Sequence, residues 1–140
     1  MHQRGYCLAG LALAAFLSLG AFATADSPAT PAAAVQQLLT KELAGVPGKE
    51  VLMVTVTYPP GGASPSHRHD AQVFVYVLEG ELIMQVQGGP KVTLRPGDTF
   101  YESPTDIHAV SANASQTAPA KFLVFILKEK GAPSTRPATP

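Results

Sequence analysis

The chain has 140 residues with ten basic and ten acidic side chains, so its formal net charge is zero and no electrostatic affinity for nucleic acid is indicated. It contains no basic run with interleaved aromatics and no phosphate-cradling glycine loop, so we expect no nucleic-acid partner. Its single cysteine, Cys7, excludes an internal disulfide, and the length fits one compact domain held by its core.

Residues 1–25 have the pattern of a secretory signal peptide. Arg4 supplies the charged start, residues 8–19 form an apolar run, and Ala23-Thr24-Ala25 is a small-x-small cleavage site. The apolar run is shorter than the roughly 18 residues that a membrane span needs. We therefore predict a periplasmic or secreted protein that does not contact the membrane once the signal is removed, with a retained anchor as the alternative.

The mature chain is predicted to have one folded domain between two polar ends. Residues 26–31 are rich in Ser, Pro, Ala and Thr and are predicted to be a linker, and the Pro-rich residues 131–140 are predicted to be a disordered tail. The domain covers residues 32–130 and begins with a predicted helix over residues 32–44, which Gly45 would cap. The apolar residues at helical spacing in this segment are Val35, Leu38, Leu39 and Leu43.

Beyond residue 50 the pattern becomes that of β-strands separated by turns. The turns carry Gly and Pro, and too few residues remain for the crossover helices of a parallel sheet. The predicted strands are 51–58, 73–78, 81–87, 91–94, 99–101, 109–111 and 121–128. We predict an all-β protein, an antiparallel jelly roll or β-barrel preceded by one short helix.

Two of these strands, 73–78 and 122–127, are apolar on both alternating faces, so their outer face requires a cover. We predict a homodimer whose interface uses Phe74, Tyr76 and the outer residues of the last strand. An intramolecular cover, either the predicted helix or a second sheet, is the alternative.

His67 and His69 are the most informative residues of the chain. Residues i and i+2 of an extended segment project on the same side, so the two imidazoles can converge on one point. Two imidazoles are the beginning of a transition-metal site that needs a third ligand from elsewhere in the fold. His108 is the remaining candidate outside the predicted signal.

The segment that contains these residues resembles the cupin superfamily. Gly61, His67, His69 and Gly80 are in register with the first cupin motif, while Val73 occupies the position of its glutamate. The second motif is similar to Pro96-Gly97-Asp98 and Pro104 followed by His108 and Asn113, with threonine in place of a glycine and the asparagine one place late.

The resemblance implies a barrel with a divalent transition metal ion held by His67, His69 and His108. The identity of the ion stays open among Fe, Mn, Zn, Ni and Cu. Three-histidine cupins include oxygenases of thiols and diketones. The resemblance thus implies a small metalloenzyme, an oxygenase, isomerase or lyase acting on a small molecule. The alternatives are a non-catalytic barrel that binds a small ligand or metal, and a barrel that has lost its metal.

Glu102 is the candidate replacement for the missing glutamate, because it ends a strand just before the loop that leads to His108. It is predicted to act as a fourth ligand, as a catalytic acid or base, or as a partner that orients an imidazole. The alternative is a solvated acid at a strand end. Tyr101 is predicted to lie in the core or line the pocket. The predicted inward residues are Val54, Val73, Val75, Met84 and Phe100.

Overall fold

The computed structural model describes residues 30–138, which form eleven β-strands. The strands are β1 (Ala34–Glu42), β2 (Lys49–Tyr58), β3 (Ala63–Ser64), β4 (His67–Arg68), β5 (Gln72–Glu79), β6 (Leu82–Val86), β7 (Val92–Leu94), β8 (Thr99–Glu102), β9 (His108–Asn113), β10 (Ala120–Glu129) and β11 (Arg136–Pro137). One sheet has the order β1-β2-β10-β5-β8, and the other has the order β11-β4-β9-β6-β7 with β3 also paired to β9. The predicted all-β antiparallel fold is confirmed. No helix in the described part of the chain is long and apolar enough to cross a membrane.

The core lies between the inner faces of the two sheets. Along β5 the inward valines Val73, Val75 and Val77 are buried, while the residues between them are exposed. Leu82 and Met84 from β6 in the other sheet are fully buried in the same cluster. Burying a side chain of this size contributes about 1.5–3 kcal/mol, so the alternation along these strands fixes which face of each sheet points inward.

The predicted helix over residues 32–44 is wrong, because this segment forms strand β1. Its register with β2 runs from Ala34 opposite Thr57 to Glu42 opposite Glu50, with an irregularity after Gln37. Every residue of β1 is exposed. The leucines at helical spacing therefore do not pack against the core, and burial gives no reason to form a helix. Pairing with the edge of β2 satisfies the backbone groups on one side of β1, whereas a short isolated helix is only marginally stable in water.

The structure also differs from the predicted disordered tail over residues 131–140. Arg136 and Pro137 pair with Arg68 and His67 as β11 on β4. These residues form a strand because their backbone pairs with the free edge of the two-residue strand β4. The amino-acid composition of the segment does not indicate this pairing. The predicted signal peptide, residues 1–25, and most of the predicted linker lie outside the described residues.

Gly80 directly follows β5 and adopts a conformation that requires glycine. Its φ is +73°, and a Cβ added there would lie 2.6 Å from the carbonyl oxygen of Pro119. The backbone of the chain entering β10 therefore passes too close for any side chain. This close approach explains why a glycine occupies the last position of the first motif.

The outer face of β5 carries a row of aromatic side chains. Phe74 is 47 % exposed, and Tyr101, which lies opposite it on β8, is 48 % exposed. The two ring centroids are 5.3 Å apart. The expectation that Tyr101 lies in the core is therefore wrong, because Glu102 takes the inward position next to it. The predicted helix does not exist to cover this face, and β1 lies at the far edge of the sheet.

Candidate metal centre

His67 and His69 converge as the i, i+2 spacing predicts. The two Nε2 atoms are 3.1 Å apart and the ring centroids 4.8 Å apart. His67 lies in β4 directly opposite His108 of β9, and the centroids of that pair are 5.0 Å apart. One short strand therefore brings the histidine pair of the first motif to the histidine of the second.

Glu102 completes the group from the opposite sheet. It is the last residue of β8, is only 2 % exposed, and lies directly across from Val73 of β5. Its Oε1 is 3.1 Å from Nδ1 of His108, and its Oε2 is 3.8 Å from Nε2 of His69. The alternative of a solvated strand-end acid is wrong, because the inward parity of β8 buries this carboxylate.

The structure brings all four predicted site residues together. His67, His69, Glu102 and His108 each offer one donor atom, and these atoms lie within 4.8 Å of one another. His67 is partly buried, and the other three are buried. Three imidazole nitrogens and one carboxylate oxygen form a donor set that could hold a transition metal ion.

Two of the imidazoles are oriented by backbone carbonyl groups. The Nδ1–H of His67 donates to the carbonyl oxygen of Pro65 at 2.8 Å, and that of His69 donates to Ser134 at 2.6 Å. A carbonyl oxygen only accepts, so in each neutral ring the proton lies on Nδ1 and Nε2 presents a lone pair. Burial lowers the pKa of His67, which favours its neutral form. Two lone pairs 3.1 Å apart repel each other unless a cation lies between them.

Other atoms of the cluster are buried without hydrogen-bond partners among residues 30–138. They are Oε2 of Glu102 and both ring nitrogens of His108. The 3.1 Å contact between Glu102 and His108 lacks the alignment of a hydrogen bond. A buried polar atom left unsatisfied costs about 1–3 kcal/mol, so these lone pairs fit the coordination of a metal ion better than an empty core.

A cavity of about 390 Å³ adjoins the four residues. Its walls are mostly aliphatic, and three of the predicted inward residues, Val54, Val75 and Met84, line it. Val73 is buried in the core beside it, and the ring of Phe100 stacks on His108 at a centroid distance of 5.7 Å. Other apolar residues of the cavity walls include Ala33, Val35, Leu52, Val56, Phe122, Val124 and Ile126.

A cluster of three hydroxyl groups, which the sequence reasoning missed, also lines this cavity. The Tyr58 hydroxyl is 2.6 Å from Oγ of Ser64 and 2.7 Å from Oγ of Ser111. Burial raises the pKa of Tyr58, so the phenol stays neutral and can donate a hydrogen bond. Ser64 and Ser111 are partners in the pairing of β3 with β9, a register that no sequence signal indicates.

Residues that alternate with the ligand candidates along the strands face away from the cluster, as strand geometry requires. Arg68 forms an ion pair with Asp70, with Nε and Oδ1 3.2 Å apart, on the exposed side of β4. Gln72 accepts a hydrogen bond from the Tyr101 hydroxyl on the outer face of β5.

The carboxylate of Asp98 accepts a hydrogen bond from the backbone N–H of Arg95 at 2.8 Å and so caps a turn.

Comparison with models of known protein families identifies the family of this chain. A family model described as a cupin domain matches residues 54–126, just over half of the chain. The chain belongs to the cupin domain family. In this cupin, the carboxylate of the four-residue cluster comes from Glu102 of β8, which lies opposite Val73, the residue that the sequence resemblance matches to the motif glutamate. A search of curated protein sequences found no match.

Two solved bacterial structures resemble this cupin over most of their length. One is a cupin domain from Bordetella pertussis, with 21% identity, a TM-score of 0.58, and coverage of 73% of this chain and 99% of the other. The second is a conserved protein with a double-stranded β-helix domain from Klebsiella pneumoniae, with 19% identity, a TM-score of 0.62, and coverage of 81% and 90%. Both similarities establish the fold.

Larger enzymes share the same barrel. The DMSP lyase DddQ from Ruegeria pomeroyi is 23% identical with a TM-score of 0.56, over 63% of this chain and 43% of the lyase. An oxalate oxidase in complex with glycolate is 25% identical with a TM-score of 0.58, over 75% of this chain and 54% of the oxidase. This cupin thus corresponds to about half the length of either enzyme.

Proposed function

We propose that His67, His69, Glu102 and His108 bind one divalent transition metal ion, and that the protein is a metal-dependent enzyme acting on a small molecule in the adjacent cavity. The observation that carries this proposal is a pair of Nε2 atoms 3.1 Å apart, in two rings whose Nδ1 atoms bond backbone carbonyl groups, beside a buried carboxylate oxygen that has no hydrogen-bond partner among residues 30–138. Repulsion between these lone pairs becomes coordination when a cation binds.

Each residue of the centre has a definite task. The three imidazoles supply neutral donors, and Glu102 supplies the one negative charge, so the bound centre carries one positive charge less than a three-histidine site. A divalent ion held by these four residues would supply Lewis-acid chemistry to a substrate oxygen or a water molecule. The mixed nitrogen and oxygen donor set is compatible with Fe, Mn, Zn, Ni and Cu, so it does not identify the ion.

The cavity favours a small molecule with a polar head and an apolar body. Aliphatic side chains form most of its walls, and Arg136 is the one permanently charged cation among the described residues that line it. A molecule with several anionic groups would lose hydration without gaining basic partners. An oxygen-bearing head at the four-residue centre and an aliphatic or aromatic body against Val54 and Phe122 fit these walls.

Tyr58 is proposed to hold a proton close to the bound molecule. Its hydroxyl contacts Ser64 and Ser111, and its raised pKa keeps the phenol protonated at neutral pH. The two serine hydroxyls rotate freely, so the three groups can donate to or accept from a ligand without moving backbone. This arrangement orients the ligand beside the centre and keeps bulk water from that wall.

A second candidate is a barrel that binds metal or a small ligand without turnover. The mostly apolar cavity wall favours it, because away from the centre and the three hydroxyls only Ser66, Ser134, Thr135 and Arg136 of the described residues offer polar side chains that could orient a substrate. The reconstituted protein separates the two candidates. Enzyme activity requires consumption of oxygen or substrate with Fe(II)-loaded protein and candidate thiols, diketones or other small oxygen ligands, whereas a binding protein shows saturable binding alone.

Metal content of the purified protein tests the centre. After reconstitution with each of the five ions in turn, elemental analysis should give one ion per chain for the native protein. Glu102→Gln and His108→Ala should lose it. Glu79→Gln, which removes an exposed acid of the neighbouring strand, is the matched control and should keep it. A native protein that takes up none of the five ions contradicts the proposal.

We also propose export, which the sequence pattern of residues 1–25 alone supports. Mass spectrometry of the protein from the periplasm or medium of an expressing bacterium should give a chain beginning at Asp26. A chain that keeps Met1 and stays in the membrane fraction would instead support a retained anchor.

A further inference from the structure

The segment Ser134–Pro137, called here the C-terminal strap, lies against the candidate centre. Its strand β11 pairs with β4, the strand that carries His67. All four strap residues also line the cavity next to that centre. The strap is thus a wall of the site although it lies far from both motifs in the sequence.

Contacts at both ends hold the strap in place. At its far end, Nε of Arg136 is 3.0 Å from Oδ2 of Asp70, and the N–H of Ala138 donates to Ser66 at 3.3 Å. At its near end, the buried Glu50 accepts from the N–H of Gly131 at 3.1 Å. The ammonium of Lys128, which is paired with the same carboxylate, donates to the carbonyl of Ala132.

Between these anchors, the strap carbonyl of Ser134 accepts the Nδ1–H of His69 at 2.6 Å. The corresponding acceptor of His67 is Pro65, two residues away in the same loop. His67 is therefore oriented by its own segment, whereas His69 depends on a carbonyl 65 residues away in the chain. Removing the strap would leave His69 with no acceptor to select its tautomer.

We propose that Ser134 is a positioning residue whose backbone carbonyl keeps Nε2 of His69 directed at the metal, and that the strap closes one side of the ligand cavity. The inference rests on the proposed function, namely that the four-residue centre binds metal. Partners that orient a ligating histidine typically change metal affinity about 10- to 100-fold when they are lost. The strap residues are mostly exposed, so removing them leaves the core between the sheets in place.

Two shortened chains test this role. A chain ending at Ala132 lacks the strap, and a chain ending at Ala138 keeps it and serves as the matched control. In competition with a chromophoric chelator for Zn²⁺ or Co²⁺, the chain ending at Ala132 should bind roughly 10- to 100-fold more weakly than the full chain. The control should bind as the full chain does. Thermal unfolding of the metal-free proteins should give similar Tm values for all three.

A spectroscopic readout separates positioning from general loosening. In the Co²⁺-loaded full chain, the NMR spectrum should contain hyperfine-shifted, exchangeable N–H signals from the Nδ1 protons of His67 and His69. In the chain ending at Ala132 the signal of His69 should exchange with solvent and disappear, while that of His67 remains. Retention of both signals at unchanged affinity overturns the strap's role.

Substitutions at Arg136 keep the chain length unchanged and so remain informative if the shortened chain does not fold. Arg136→Glu places like charges beside Asp70 and should weaken metal binding and broaden the His69 signal, whereas Arg136→Lys should behave as the native protein. Equal metal affinity in all variants, with the full chain binding one ion, overturns the strap and leaves the proposed centre standing. Absence of metal from the full chain overturns both proposals.

Discussion

Val73 and Glu102 lie directly opposite each other in the antiparallel pair of β5 and β8. Residues in this relationship share one face of the sheet, with Cβ atoms about 4.5–5.5 Å apart. The sequence resemblance matches Val73 to the glutamate of the first cupin motif, and Glu102 directs its carboxylate to His69 and His108. The carboxylate thus reaches the same centre from the neighbouring strand.

Moving the carboxylate back across the strand pair should preserve the centre. Glu102→Val alone should abolish stoichiometric metal binding, because it removes the anionic donor. Adding Val73→Glu to that variant should restore binding to within about 10- to 100-fold of native, because the anionic donor returns and only the contacts that orient it differ. Chelator competition measures the affinities. Failure of the double variant, although it folds with native circular dichroism, would show that the two positions are not equivalent.

The stability of the protein should depend on Glu50 in a pH-dependent way. The Lys128 hydrogen bond, followed by the Gly131 N–H, lowers the pKa of Glu50 below its ordinary value of 4.5. A carboxylate with a lowered folded-state pKa adds stability above its unfolded-state pKa, and this contribution disappears as pH falls through the folded-state value. Glu50→Gln should therefore lower Tm at pH 7, and the difference from native should shrink below about pH 4.5.

Glu81→Gln is the matched control for that experiment, because Glu81 pairs with Arg95 at the exposed surface at 2.9 Å. An exposed ion pair contributes little to the free energy of unfolding. The Tm of Glu81→Gln should therefore equal that of the native protein at each pH. Tm is measured from pH 3 to pH 7. A Tm difference between Glu50→Gln and the native protein that stays constant over this range would refute the role of Glu50.

Removing the Tyr58 hydroxyl should destabilise the fold and impair ligand binding. Tyr58→Phe leaves the buried Ser111 hydroxyl without this partner, at a cost of about 1–3 kcal/mol in the free energy of unfolding. Tyr101→Phe removes an exposed hydroxyl that bonds Gln72 and should cost less than about 1 kcal/mol. Urea titrations of both variants measure the difference. Equal losses would mean that Tyr58 gains nothing from its buried partners.

Two leucines on opposite sides of the sheets test the assignment of the core. Leu82 is fully buried between the sheets, so Leu82→Ala should lower the free energy of unfolding by about 2–5 kcal/mol. Leu78 lies on the outer face of β5 and is partly exposed, so Leu78→Ala should cost about 1 kcal/mol or less. Chemical denaturation provides the measurement, and a larger loss for Leu78 would indicate that a partner covers the outer face.

The homodimer expected from the apolar outer face remains a prediction. Phe74 and Tyr76 are nearly half exposed on that face, and Phe125 of β10 lies beside them, with its ring centroid 6.2 Å from that of Phe74. Size-exclusion chromatography with light scattering should give twice the chain mass at micromolar concentration. Phe74→Asp should give a monomer, whereas the exposed edge variant Val35→Asp should stay dimeric. A monomeric native protein refutes the dimer.

The positions of seven of the nine strands from β2 to β10, all except the two-residue strands β3 and β4, could be predicted from the sequence, and so could the residues of the candidate centre. Alternation of β-branched residues with polar ones, interrupted by glycine and proline turns, is a local signal, and it placed the seven predicted strands within a few residues of their bounds. The spacing of His67 and His69 is equally local, and strand geometry alone makes their imidazoles converge.

The remainder was decided by the tertiary structure. Residues 34–42 have helical spacing, yet the free edge of β2 makes them a strand. Glu102 could be singled out by its position before His108, but only the register of β8 against β5 directs it at the histidines rather than at water. The strap over His69 has no sequence signal, because a backbone carbonyl leaves no mark on side-chain composition. Local patterns determine which face a residue takes, whereas pairing between distant segments determines what it meets there.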